Sequence, residues 1–115
     1  MIDYYIVLLM AKPIIYTLEN LADAREFLSK FPDPVILTNK DTSTRYYGMM
    51  IIDYIFKKLT EEFLQIVEII VNVGTDHSAL LTAIKLNYKN IVYTGASEEA
   101  KKLINFTPLP NQHSD

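Results

Sequence analysis

The chain contains no cysteine, which excludes disulfides, thiolate nucleophiles and cysteine-ligated zinc. Histidine is scarce. His77 and His113 are the two present, so a metal site would have to combine His77 with Asp76 or Asp41, and no metal or other cofactor is expected. Glycine is nearly absent, with three residues in 115. None has the spacing of a dinucleotide fingerprint or precedes the Lys-Ser/Thr pair of a nucleotide P-loop. An excess of positive charge is missing too. A formal net charge of −3 and a pI near 5.3 argue against nucleic acid as a partner, and Lys57-Lys58 and Lys101-Lys102 read as solvated helix faces. Long apolar runs are also lacking. Tyr4–Ala11 is unbroken over eight residues, far short of the ~20 that a membrane-spanning helix needs. Asp3 precedes it in place of a basic region, and no small-residue cleavage site follows. Neither a membrane span nor a signal peptide is expected, and the chain reads as cytoplasmic.

What is present is a rhythm of apolar run, polar break and amphipathic stretch. The runs are Pro13–Leu18, Val35–Thr38, Ile66–Val73 and Ile91–Thr94. Strands alternating with helical segments argue for βα units and a parallel sheet. Half of the residues are hydrophobic and 22% are charged, ordinary for a globular chain. One domain is expected over residues 1–106. Its first dozen residues form an extra strand or arm, and 107–115 is a flexible tail beyond Pro108.

The helices have readable ends. Asn20 is a candidate N-cap, with Asp23 in the capping-box position. Leu21, Ala24, Phe27 and Leu28 make the buried face of that helix, and Pro32 and Pro34 prevent its continuation. A long helix is predicted from Thr44 to Phe63. Gly48, Met49, Ile52, Ile55, Phe56, Leu59 and Phe63 share its sheet-facing side. Tyr47, Met50, Ile51 and Tyr54 form a second apolar patch on its first turns, while Asp53 is expected on a solvated flank. Thr75 or Asp76 caps the next helix, and Asn87 ends it in the left-handed conformation that asparagine tolerates best after glycine. Ser97 then caps a last helix, with Glu98 and Glu99 in its first turn.

Right-handed crossovers limit the topology. The expectation is an α/β three-layer sandwich, a flavodoxin-like half with the strands in order 2-1-3-4. The alternative is a half-barrel in order 1-2-3-4. Either way the strands end at one rim, where ligands bind in open α/β sheets. The candidate ligand-binding residues there are Asn39, Lys40, Gly74, Thr75, Asp76, His77, Gly95 and Ser97. Every βα loop needs polar caps whether or not it binds anything, so capping is the commoner role of such residues. Gly74-Thr75-Asp76-His77-Ser78 is no catalytic triad, because triad groups converge from separate segments. No catalytic residue is assigned, and an enzyme is the less favoured reading.

Residues 67–104 resemble a segment of short uncharacterised bacterial α/β proteins. Those run through a strand, an Asp-Cys-Gly-Asp-like turn, an Ala/Leu-rich helix, an Arg-Ala-Gly turn and a strand. The corresponding stretch here is Val71-Asn72-Val73-Gly74-Thr75-Asp76, then Ala79-Leu80-Leu81, then Asn87 at the glycine position and Ile91-Val92. The resemblance implies the fold and no activity. Asp76-His77-Ser78-Ala79 matches only part of the Asp-Ser-Ser-Gly turn of sulfate-transporter/anti-sigma-antagonist domains. The paired acids of response-regulator receivers are not reproduced.

The patch Tyr47, Met50, Ile51 and Tyr54 is the candidate interface. A helix apolar nearly all round at its start needs cover from another subunit or from the N-terminal arm. The expected role is therefore a self-associating, dimeric or protein-binding module. The alternatives are a small-molecule or anion site at the strand ends, and a relic of a larger barrel that oligomerises to close its sheet edge. Eight tyrosines fit an interface, and they fit the amino-acid bias of an AT-rich genome as well.

Overall fold

Strand and helix alternate as the apolar rhythm predicts in the computed structural model, which describes residues 12–96 and 98. The elements are β1 (Ile14–Leu18), α1 (Leu21–Lys30), β2 (Val35–Asn39), α2 (Ser43–Tyr47), α3 (Met49–Glu62), β3 (Ile66–Gly74), α4 (His77–Lys85) and β4 (Ile91–Tyr93). The arm Tyr4–Ala11, the cap Ser97 and the tail 107–115 lie outside the described residues. Among those described, no helix is long and apolar enough to cross a membrane.

All three strand pairings are parallel, and the order is β1-β2-β3-β4. This corrects the expected order 2-1-3-4 in favour of the half-barrel alternative. It also removes the three-layer sandwich. Three right-handed crossovers stepping in one direction leave their helices on one face of the sheet. Accordingly Ala24 and Leu28 of α1, Ile52, Phe56 and Leu59 of α3, and Ala79, Leu80 and Ala83 of α4 share a single core. Leu18, Val35, Leu37, Val71, Val73 and Ile91 meet them from the strands. Each fully buried Leu or Phe contributes roughly 1.5–3 kcal/mol to that core. On the opposite face Ile15 is 61% exposed and Val92 39% exposed, with Ile36 and Ile70 half-buried between them. Among the described residues no helix covers that face.

The long helix predicted from Thr44 to Phe63 is two helices. Gly48 separates α2 from α3 at φ 84° and ψ 147°, a backbone region essentially confined to glycine. Gly48 is therefore a corner, exposed to solvent, and no member of the buried stripe. Beyond it Met49, Ile52, Phe56 and Leu59 are buried as the periodicity predicts.

Asp53 departs from its expected solvated flank. It is buried, accepts a 2.5 Å hydrogen bond from the Tyr88 hydroxyl and pairs with Lys57 at 3.0 Å. Tyr88, just past α4, thus reaches back to α3, and its ring meets Phe56 edge-on at 6.1 Å. Gln65 is buried as well. Its amide donates to the carbonyls of Leu28, at 3.0 Å, and Phe31. These are orphan acceptors at the end of α1.

The predicted ends of α1 and α4 hold. The Asn20 side chain accepts from the Asp23 amide at 2.8 Å and donates to its carboxylate at 2.9 Å. Asn87 takes φ 67°. On the surface Arg25 of α1 grips Glu62 of α3 through two hydrogen bonds of 2.8 and 2.6 Å.

Two outcomes are expected. Gly48→Ala has open space for its methyl, so only the backbone resists. It should lose about 1–3 kcal/mol in urea unfolding, and an unchanged midpoint would contradict the corner. Burial, followed by the hydrogen bond to Asp53, raises the Tyr88 phenol above its ordinary 10.0. Its neutral form therefore contributes fully below pH 10, and the contribution is lost as pH rises from there toward the elevated folded value. The stability gap between the wild type and Tyr88→Phe should narrow above about pH 10; a constant gap counts against the buried phenol.

Candidate functional site

Parallel pairing brings the carboxyl ends of all four strands to one rim, where the loops after β1, β2, β3 and β4 meet. Two of these loops are locked together. Gly74 sits at φ 57°, and a Cβ there would lie 2.5 Å from the Asp41 carbonyl oxygen. No residue with a side chain fits the approach.

Asn39, at the end of β2, is 2% exposed. Its Oδ1 accepts from the Asn72 amide at 2.9 Å, and its Nδ2 donates to the Asn72 carbonyl at 2.8 Å. The side-chain amide imitates a peptide group and carries the β2–β3 ladder past the end of the backbone strand. The same Nδ2 reaches the Ser43 hydroxyl at 2.7 Å, and Ser43 in turn donates to the Lys40 carbonyl at 2.8 Å. Asn39 thus splices β3 to the start of α2.

The other candidates divide between two neighbourhoods. Asp76 caps α4 by accepting from the Ala79 amide at 3.0 Å, and it accepts from the Thr44 hydroxyl at 3.3 Å. Thr75 receives a hydrogen bond from Arg45 at 2.9 Å. His77 is half-buried in the first turn of α4. Gly95 makes room for the Tyr93 phenol, since a Cβ there would lie 2.2 Å from its hydroxyl oxygen. Lys40 points the other way, to Glu19 beyond β1, and forms an ion pair of 2.7 Å. The hydrogen bond to Glu19 raises the Lys40 ammonium above its ordinary value. Lys40 and Asp76 therefore serve different sides of the α2 corner.

Around the Lys40–Glu19 pair lies a depression of about 180 Å³, lined also by Leu18, Thr42, Ser43, Tyr46 and Tyr47. A second, of about 210 Å³, adjoins it through Leu18, Glu19, Ser43 and Tyr47 and continues to Ile51, Ile52 and Ile55. Of the candidate ligand residues only Lys40 lines these hollows. Tyr46, Ser43 and Leu18 were not singled out. Their convergence follows from the Gly48 corner, which swings α2 over the end of β1. The interface candidates Tyr47, Met50, Ile51 and Tyr54 are all exposed beside the hollows. Among the described residues no three His, Asp or Glu side chains gather as a metal site.

This arrangement defines a small α/β half-barrel with a polar rim and a helical corner clad in exposed apolar side chains. Over 91 residues the chain is 57% identical to the "Uncharacterized protein RP547" of Rickettsia prowazekii (strain Madrid E), covering 78% of this chain and 86% of that one. The chain belongs to the family of that bacterial protein, in keeping with the resemblance carried by residues 67–104. No family model and no solved structure matches it.

Replacing Asn39 by alanine would strand the amide and carbonyl of Asn72 inside the sheet. The expected loss is about 1–3 kcal/mol in chemical denaturation. A neutral effect would show that the splice contributes nothing.

Proposed function

We propose that the chain is a self-associating interaction module of the cytoplasm, pairing with a second copy through the α2–α3 corner. The observation that carries this reading is a set of exposed apolar side chains gathered on that corner. Tyr46, Tyr47, Met50, Ile51 and Tyr54 are each at least half exposed, Tyr46 at 82%. Monomeric soluble proteins rarely present such a cluster to water, and Tyr and Met are enriched in interfaces.

Charges of both signs border the cluster: Lys40 and Glu19 share a hollow with Tyr46 and Tyr47, Arg45 lies beside Met50, and the Lys58 ammonium is 5.8 Å from the Tyr54 ring centre. A patch of apolar side chains with both signs of charge at its edge has little to select a strongly acidic or basic partner. It suits its own copy, because like faces like in a two-fold contact. The low net charge of −3 opposes such pairing only weakly.

Sedimentation velocity tests the proposal. The wild type should run as a dimer at about 100 µM, and Ile51→Lys with Tyr54→Lys should weaken association at least about tenfold, a change of 1.4 kcal/mol. Circular dichroism should be unchanged, because both side chains are at least half exposed and neither belongs to the core. A wild type that stays monomeric throughout would overturn the proposal.

A further inference from the structure

The two adjoining hollows beside the α2 corner differ in chemistry, and the difference has a direction. One end holds two opposite charges, Lys40 and Glu19, with their side chains 56% and 51% exposed. The other hollow, which Glu19, Asn20 and Ser43 also border, is closed by Leu18, Ile51, Ile52 and Ile55. Tyr47 borders both. Small-molecule sites combine an apolar body with a few convergent polar groups in this manner. Their usual place in open α/β sheets is beyond the strand carboxyl ends, which is where this cleft lies.

We propose that this cleft binds a free α-amino acid with a large apolar side chain. The ligand carboxylate takes Lys40, the ligand ammonium takes Glu19, and the side chain enters the hollow between Leu18 and the α3 isoleucines. The charge balance selects the class. An anion would gain Lys40 but face the Glu19 carboxylate, and a cation would meet the reverse. A zwitterion satisfies both and replaces one ion pair by two. Since the existing pair is half exposed, opening it is cheap. The volumes, about 180 and 210 Å³, admit a leucine or phenylalanine and leave little room for a nucleotide.

This inference does not rest on self-association, although both use Tyr46, Tyr47 and Ile51. The test is therefore run on the wild type and on Tyr54→Lys, whose substitution lies outside the cleft lining. L-leucine and L-phenylalanine are titrated against the ¹⁵N-labelled chain. The comparison probes are 4-methylpentanoate, which lacks the ammonium, 3-methylbutylamine, which lacks the carboxylate, and glycine, which lacks the side chain. Saturable shifts are expected at Leu18, Tyr47 and Ile51, with Kd of roughly 1 mM or tighter. Each comparison probe should bind at least tenfold more weakly, as should leucine to Lys40→Met and to Glu19→Gln. Both of these positions are solvent-exposed, so the folded spectrum serves as the control. Absence of saturation by both amino acids overturns the proposal. So does equal binding of a singly charged probe, or a response confined to residues away from the cleft. Sedimentation of the same samples reads self-association separately, so failure of one reading leaves the other measurable.

Discussion

Right-handed connection of consecutive parallel strands governs this molecule. Each crossover steps to the next strand on the same side, so α1, α3 and α4 fall on one face and pack around a single core. The opposite face keeps Ile15 and Val92 in solvent. Every carboxyl end meets one rim, and every loop that could carry chemistry is gathered there. The shared rim and the crowded helical layer are two results of one handedness.

Within that frame a few polar groups do structural duty where the backbone cannot. The Asn39 amide stands in for a peptide at the end of β2. The Gln65 amide closes the carboxyl end of α1. The Asp53 carboxylate receives the Tyr88 phenol and ties α3 to the chain leaving α4. Each of these three groups is matched because an unmatched buried polar atom would cost more than the bond contributes; among the described residues the side-chain oxygen of Asn90 is buried without a hydrogen-bond partner.

The corner at Gly48 links architecture to surface. It turns α2 out of line with α3, brings Tyr46 and Tyr47 over the end of β1, and opens the cleft around Lys40 and Glu19. A continuous helix through residue 48 would have projected these tyrosines elsewhere. One residue free of side-chain constraint therefore shapes both the apolar patch and the hollow beneath it.

Much of the local architecture was legible along the chain. Apolar runs located all four strands, Asn20, Asp76 and Asn87 marked helix ends, and the period of α3 picked out Ile52, Phe56 and Leu59 as core. These signals are local, arising from backbone sterics, capping and periodic burial within a few residues. Strand order was not legible, because each βα unit fits either side of its neighbour until all compete for one sheet. Nor was the fate of Asp53, whose partner Tyr88 lies 35 positions away, or the meeting of Glu19 with Lys40 across two strands. Gly48 read as a member of the sheet-facing stripe, since helical period alone does not report positive φ. Which polar residues became splices and which stayed open at the rim was settled by long-range contact, and contact across the fold leaves no mark in the neighbouring sequence.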